Sequence, residues 1–120
     1  MAKRIVIIED DPNILELLDY LFENEGYHIF SFSQSQTAKH IQTLLPDVIL
    51  LDVNLVGSLC QGNEVCNELK ALLATSCLPV MLLSAERNLS VIAAQCHADA
   101  FICKPFDIDE LVEKVRLLAA

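Results

Sequence analysis

The sequence is poor in large aromatic side chains and in glycine. It has no tryptophan, aromatic residues make up 6% of its 120 positions, and it contains three glycines. Because hydrophobic residues still make up 53% of the chain, the core must be built mainly from Ile, Val, Leu, Ala and Cys, and a disordered chain is excluded. Gly/Ser linkers, tandem repeats and low-complexity tracts are lacking, so we expect residues 1–120 to form a single domain.

Positive charge is also scarce. Eight Lys and Arg stand against seventeen Asp and Glu, which gives a formal net charge of −9. A surface with this charge disfavours direct binding to a nucleic-acid backbone or to an anionic membrane. We therefore expect this domain to have no direct nucleic-acid or membrane partner.

Long hydrophobic runs are missing as well. The longest uncharged stretch covers residues 71–85, includes Pro79 and several hydroxyl side chains, and is shorter than the roughly 20 apolar residues of a membrane-spanning helix. The apolar run Ile5 to Ile8 that follows Lys3 and Arg4 is too short for the core of an export signal. We predict a soluble protein that stays in the cytoplasm.

The five cysteines are odd in number and form no C-x-x-C pair. Most of them lie within apolar patterns, as expected for reduced thiols that pack in a core rather than for a disulfide framework.

Short apolar runs alternate with helical patterns along the chain. Runs typical of buried strands lie at 5–8, 27–32, 48–51, 79–83 and 100–103. Helical spacing follows each run, from Pro12 to Gly26, at 38–45, 65–73 and 89–96, and from Asp107 almost to the end. Asp11 before Pro12, and Asp107 three residues before Glu110, are typical helix starts. The alternation predicts an α/β fold with a doubly wound, five-stranded parallel sheet and five helices.

Polar residues stand where the predicted strands end. Glu9 and Asp10 follow the first strand, Asp52 the third, Ser84 the fourth and Lys104 the fifth. In a parallel sheet these carboxyl ends meet at one edge, which is where ligands bind. The sequence therefore predicts one site made from all of these side chains.

Three converging carboxylates repel each other and must either hold a proton or bind a cation. Oxygen ligands of this kind suit Mg²⁺, while Lys104 and Ser84 offer a positive charge and a hydroxyl to a phosphoryl group. Asp52 is the best candidate for a nucleophile that forms an aspartyl phosphate, because its strand is expected to be central. Glu9 and Asp10 would then hold the metal.

These residues resemble the receiver domain of two-component response regulators, and the resemblance runs from Lys3 to Leu118. It implies a flavodoxin-like sheet of order 2-1-3-4-5, with Asp52 accepting a phosphoryl group from the phosphohistidine of a sensor histidine kinase or a histidine phosphotransfer domain. It also implies Mg²⁺ bound by Asp10 and Asp52, by Glu9 through water, and by the backbone carbonyl of Asn54. The motifs that carry the resemblance are Ile-Glu-Asp-Asp-Pro at 8–12, Ile-Leu-Leu-Asp-Val-Asn-Leu at 49–55, Leu-Leu-Ser-Ala at 82–85 and Phe-Ile-Cys-Lys-Pro-Phe at 101–106.

The resemblance assigns further roles residue by residue. Ser84 matches the hydroxyl that contacts the bound phosphoryl group, and Lys104 matches the family's lysine. Phe101 matches an aromatic whose rotamer follows activation, although simple core packing would explain it equally well. Asn54 and Glu86 occupy the positions that tune how fast the aspartyl phosphate is lost.

The sequence also departs from the family pattern. Val56-Gly57 stands where a proline is usual after the acceptor, and residues 58–61 lengthen that loop. The segment from Ser84 to Lys104 is short, and His97 replaces a common glycine, so we expect a shortened or shifted fourth helix. The family also places a cis bond before Pro105.

The resulting prediction is a phosphorylation-dependent signalling switch rather than a conventional enzyme. It would catalyse its own phosphoryl uptake and slow hydrolysis, and act on a downstream effector or an attached output domain, with a phosphorylation-linked dimer as a further possibility. Two alternatives stay open. A receiver-shaped binding module would never be phosphorylated, and a haloacid dehalogenase-type phosphatase would need a second acid where Asn54 stands.

Overall fold

The structure, a computed structural model, describes residues 2–120, and within them the chain forms five strands and five helices. In chain order these are β1 (Arg4–Ile8), α1 (Pro12–Asn24), β2 (His28–Phe32), α2 (Ala38–Thr43), β3 (Val48–Asp52), α3 (Gly62–Ala71), β4 (Val80–Ser84), α4 (Leu89–Gln95), β5 (Ala100–Cys103) and α5 (Ile108–Ala119).

The strands form one parallel sheet of order β2-β1-β3-β4-β5. This confirms the predicted flavodoxin-like α/β fold. Every residue of β3 and β4 is buried, because helices cover both faces of the sheet. The register pairs Ile8 with Leu51 and Asp52 with Leu83. The carboxyl ends of β1, β3 and β4 are therefore level with one another.

The core has two layers, one on each face of the sheet. Ile5 and Ile7 of β1 pack in the layer beneath α1 and α5, whereas Val6 and Ile8 pack in the layer beneath α2, α3 and α4. This division follows from the strand geometry, since successive side chains of a strand point to opposite faces.

Both predicted helix starts are confirmed. Asp11 Oδ1 accepts hydrogen bonds from the amides of Asn13 and Ile14 at 2.9 and 3.3 Å, and Pro12 is the first residue of α1. Asp107 Oδ1 accepts the amide of Glu110 at 3.0 Å. These side chains satisfy amides that have no carbonyl partner in the first turn of a helix.

Two helices end earlier than the apolar spacing predicts. α2 stops at Thr43, and Leu45 adopts a φ of +51° because the following Pro46 disfavours the right-handed helical conformation at that position. α3 stops at Ala71, leaving Leu72 and Leu73 outside the helix and exposed. Near this end of α3, the hydroxyl of Thr75 donates to the Leu69 carbonyl at 2.6 Å, and the helical hydrogen-bond pattern ends.

The fourth helix is short, as expected from the departures in its sequence. α4 has seven residues, and His97 just beyond it has a φ of +61°. This left-handed conformation explains why a glycine would suit position 97. The Lys104–Pro105 bond is cis, as the resemblance implied.

Lys70 connects several segments at the end of the molecule opposite the predicted site. Its Nζ lies 2.7 Å from Asp99 Oδ2 and donates to the carbonyls of Leu78 and Ser76 at 2.8 and 3.2 Å. One partly buried ammonium thus joins α3 to the segments that lead into β4 and β5.

Among residues 2–120, no helix combines the length and the apolar character needed to cross a bilayer.

Candidate functional site

Three carboxylates converge at the carboxyl ends of β1 and β3. Glu9, Asp10 and Asp52 each offer an oxygen, and these oxygens lie within 4.8 Å of one another. Glu9 is 0% and Asp52 3% exposed. The Glu9 amide donates to the carbonyl of Phe32 in β2 at 3.0 Å, which continues the pairing of β1 with β2 by one residue. Because Ile8 pairs with Leu51 of β3, the residues that follow them, Glu9 and Asp52, lie beside each other. The predicted convergence of acids is therefore present.

Lys104 reaches this cluster from the end of β5. Its amide donates to the Ser84 carbonyl at 2.9 Å, and its Nζ lies 2.7 Å from Glu9 Oε1 and 3.4 Å from Asp52 Oδ2. One ammonium thus faces three carboxylates, so the pocket has an excess of negative charge.

This excess alters the acidity of the site. Burial, hydrogen bonds with the side chains of Glu9 and Asp10, and charge repulsion from Glu9 together raise the pKa of Asp52 to about 8, and Lys104 lowers it only in part. Burial also disfavours ionisation of Asp10, but hydrogen bonds from the Asp52 carboxyl and the Val56 amide more than offset it, so the pKa of Asp10 lies below its ordinary value. The cluster therefore favours the protonated form of Asp52 more than water would.

The ammonium of Lys104 is held firmly in its charged form. Burial lowers its pKa, but a hydrogen bond and charge attraction from Glu9, followed by those from Asp52, outweigh the burial and raise the pKa above its ordinary value. Lys104 consequently supplies a fixed positive charge to the pocket.

Three further predicted site residues lie at the end of β4 or in the loops after β3 and β4. Ser84 is 1% exposed at the end of β4, and its Oγ accepts the amide of Glu86 at 3.0 Å. The amide of Asn54 donates to Asp52 Oδ1 at 3.3 Å, and Asn54 Nδ2 donates to Glu86 Oε1 at 3.0 Å. The two residues predicted to tune phosphoryl loss are thus bonded to each other, and one of them is also bonded to Asp52.

The lengthened loop after Asp52 closes onto the acidic cluster. The amide of Val56 donates to Asp10 Oδ2 at 3.1 Å, while the side chains of Val56 and Leu59 are 80% and 100% exposed. Gly57 has a φ of +79°, which permits the turn that replaces the usual proline. The loop therefore presents apolar side chains to solvent beside the site.

Sequence reasoning missed two residues that shape this loop. Gln61 hydrogen-bonds the backbone of Leu55, and a Cβ on Gly62 would lie 1.9 Å from the carbonyl oxygen of Asp52. The spacing of Gln61 and Glu64 resembles a capping box and could have revealed the role of Gln61. The role of Gly62 depends on the packing of α3 against β3, which no local sequence pattern reports.

Phe101 lies apart from the acidic cluster. It is 36% exposed on the edge strand β5, so the core-packing alternative is wrong. With Phe106, Glu110 and Lys114 it borders a surface cavity of about 280 Å³. Its predicted role as a switch residue stays a prediction.

A doubly wound sheet with a carboxylate trio and a lysine at its carboxyl edge defines the class of this chain, a flavodoxin-like domain with an acidic site. The chain belongs to the family of response regulator receiver domains, whose model matches residues 5–116. It is thus a receiver domain of the two-component type, a signalling module with an acidic site formed by Glu9, Asp10 and Asp52.

Individual relatives support this assignment. The chain is 36% identical over 121 residues to the DNA-binding response regulator MtrA from Mycolicibacterium smegmatis, an alignment covering 97% of this chain and 50% of that protein. The chain thus spans about half the length of this relative. The receiver domain of NtrX from Brucella abortus is 26% identical with a TM-score of 0.83, covering 96% of this chain and 97% of that one.

A third relative shares the fold at lower identity. The receiver domain of a sensor histidine kinase from Pseudomonas aeruginosa, determined with a magnesium ion coordinated in its active-site cleft, has a TM-score of 0.88. It is 20% identical, and the alignment covers 99% of this chain and 98% of that one.

Proposed function

We propose that residues 1–120 act as one receiver domain, a phosphorylation-dependent switch in which Asp52 accepts a phosphoryl group. The donor would be the phosphohistidine of a sensor histidine kinase or a histidine phosphotransfer domain, the partners implied by membership of a two-component system. The observation that carries this proposal is the pocket itself. Three carboxylates lie within reach of one ion, and the Lys104 ammonium lies 3.4 Å from Asp52.

The donor set of this pocket fits Mg²⁺. All its ligands are hard oxygens, and its excess negative charge favours binding of a cation. Asp10, Asp52 and the backbone carbonyl of Asn54 would hold the ion directly, and Glu9 through water. The bound ion would neutralise charge on the transferring phosphoryl group. The magnesium in the cleft of the Pseudomonas receiver domain supports this choice.

The side chains of the pocket suit the transfer step. A deprotonated Asp52 oxygen attacks phosphorus in line, the bond from phosphorus to the donor's histidine nitrogen breaks, and the histidine retains the electron pair. Lys104 pairs with a phosphoryl oxygen as charge develops, because its ammonium already lies between Glu9 and Asp52. The hydroxyl of Ser84 donates to another oxygen of the product.

Signal termination would depend on how easily water reaches the phosphoryl group. Asn54 is hydrogen-bonded both to Glu86 and to Asp52, so these side chains would set the rate of slow self-hydrolysis. The output would be a shift between two pre-existing arrangements of the domain, reported by Phe101. A downstream effector, an attached output domain or a second copy of the chain would read the altered surface.

Intact-mass analysis tests this function directly. The full chain is incubated with acetyl phosphate, with and without Mg²⁺, alongside Asp52→Asn and the control Asp19→Asn, which alters a partly buried acid of α1 outside the pocket. We expect one phosphoryl adduct in the wild type and in Asp19→Asn, only when Mg²⁺ is present. No adduct should form on Asp52→Asn.

The same experiment separates the alternatives. A phosphatase would consume acetyl phosphate continuously without accumulating an adduct, and an inert binding module would neither consume it nor gain mass. An adduct that persists in Asp52→Asn would contradict the assignment of the acceptor.

A further inference from the structure

Gln61 binds the backbone of the loop that carries the predicted metal ligand. Its Oε1 accepts the amide of Leu55 at 2.7 Å, and its Nε2 lies 3.5 Å from the carbonyl oxygen of the same residue. The side chain of Leu55 is fully buried, and the amide of Gln61 donates to Glu64 Oε1 at 2.9 Å at the start of α3. Leu55 is thus held by its side chain and by both of its backbone polar groups.

The residues on either side of Leu55 face the opposite way. The amide of Asn54 donates to Asp52 Oδ1 at 3.3 Å, and the amide of Val56 donates to Asp10 Oδ2 at 3.1 Å. Backbone polar groups that alternate in this manner are typical of an extended segment. One side of this segment therefore faces Gln61 and the other faces the carboxylates.

The peptide bond between Asn54 and Leu55 links these two sides. It is trans, because the cis peptide bond within residues 2–120 is Lys104–Pro105. The planarity of a trans peptide places its N–H and C=O groups on opposite sides. Because the Leu55 N–H points to Gln61, the Asn54 carbonyl points away from Gln61, to the side of the segment on which the Asn54 and Val56 amides meet the carboxylates.

We propose that Gln61 is a positioning residue that aims the Asn54 carbonyl at the metal ion. This inference rests on the proposed function, because it assumes that Mg²⁺ occupies the acidic pocket. Without the Gln61 side chain, the Leu55 amide loses its acceptor and the peptide plane is free to turn. An outer partner of this type typically contributes about 10- to 100-fold to metal affinity.

The two bonds of this peptide reinforce each other. A cation on the Asn54 carbonyl withdraws electrons from the peptide and makes the Leu55 N–H a stronger donor to Gln61. Metal binding should therefore strengthen the hydrogen bond from the Leu55 N–H to Gln61, although Gln61 itself does not touch the metal. The chemical shift of the Leu55 amide proton can report this change.

Calorimetric Mg²⁺ titration of the full chain tests the proposal, using wild type, Gln61→Ala and the control Asn67→Ala. Asn67→Ala changes an exposed residue of α3 and leaves the Leu55 amide bonded to Gln61. We expect Mg²⁺ binding to weaken about tenfold in Gln61→Ala and to stay unchanged in Asn67→Ala. Equal weakening in both variants, or none in Gln61→Ala, would overturn the proposal.

Amide NMR of the wild type provides a second test that needs no variant. Saturation with Mg²⁺ should shift the Leu55 amide proton downfield, and Gln61→Ala should lose that shift. A Leu55 proton that does not move in the wild type would overturn the positioning role. If the wild type binds no Mg²⁺ at all, both the proposed function and the positioning role of Gln61 fail. If Mg²⁺ binds equally in Gln61→Ala, only the role of Gln61 fails.

Discussion

At the scale of single residues, Asp52 shows how an environment changes the chemistry of a carboxyl group. Its side chain is buried beside two other acids, and its pKa rises from 3.8 to about 8. Between these values the folded chain binds more protons at Asp52 than the unfolded chain does. The free energy of unfolding must therefore fall as pH rises through this interval.

Asp52→Asn is expected to remove this loss of stability. In the absence of divalent cations, the wild type should lose stability between about pH 5 and about pH 8, and the variant should lose much less. At about pH 8 we expect the variant to be more stable than the wild type by several kcal/mol, because each unit between 3.8 and about 8 is worth about 1.4 kcal/mol. Urea denaturation followed by circular dichroism in EDTA measures both effects.

The matched control for this prediction is Glu16→Gln, which removes an exposed acid of α1. It should follow the wild type across the whole pH range. Mg²⁺ should stabilise the wild type at high pH and have little effect on Asp52→Asn. An Asp52→Asn variant that is less stable than the wild type at high pH in EDTA would show that the buried charge is not the destabilising group.

At the scale of elements, the connection from β3 to α3 depends on two glycines for different reasons. Gly62 begins α3 against the backbone of Asp52, where an added Cβ would lie 1.9 Å from the carbonyl oxygen. Gly57 has open space around it but a φ of +79°. The first glycine permits close packing, and the second permits a left-handed turn.

We expect Gly62→Ala to be the more damaging of the two alanine substitutions. It should lower the free energy of unfolding by about 3 kcal/mol, because the backbones of α3 and β3 must move apart. Gly57→Ala should cost about 1 kcal/mol for its left-handed conformation. Chemical denaturation gives both values, and a larger loss for Gly57→Ala would contradict the close contact between Gly62 and Asp52.

At the scale of the whole molecule, two helical layers enclose a central sheet and determine which side chains meet solvent. Cys66 of α3 and Cys96 after α4 are buried, and Cys66 Sγ donates to the Cys96 carbonyl at 3.4 Å. Burial raises the pKa of the Cys66 thiol. Cys77 and Cys103 are exposed, and Cys60 is half-buried. The expectation of packing thiols therefore holds for the buried pair and is wrong for the two exposed cysteines.

This arrangement predicts the order in which the thiols react. A disulfide reagent such as dithionitrobenzoate should modify Cys77 and Cys103 rapidly in the native chain and Cys60 more slowly, because reaction requires an accessible thiolate. Cys66 and Cys96 should react only after denaturation. Peptide mass mapping after timed labelling checks the order, and rapid native modification of the buried pair would contradict the packing of α3 and α4 on the sheet.

The sequence alone determined the order and type of the elements and the residues of the acidic pocket. Hydrophobic periodicity is a local property that records which face of each element is buried. Once the strands are known to be parallel, their carboxyl ends must share an edge, so Glu9, Asp10, Asp52, Ser84 and Lys104 could be grouped without coordinates. These predictions succeed because they need only the pattern and one topological rule.

The tertiary structure alone decided how these groups affect one another. The raised pKa of Asp52 depends on burial and on distances to other carboxylates, and the contact between Gln61 and Leu55 depends on how α3 docks beside β3. The contacts of Lys70 with the segments before β4 and β5 likewise could not be predicted from the sequence pattern of α3. Electrostatic and hydrogen-bond energies vary with separation and solvent exposure in three dimensions, and these quantities exist only after the chain has folded.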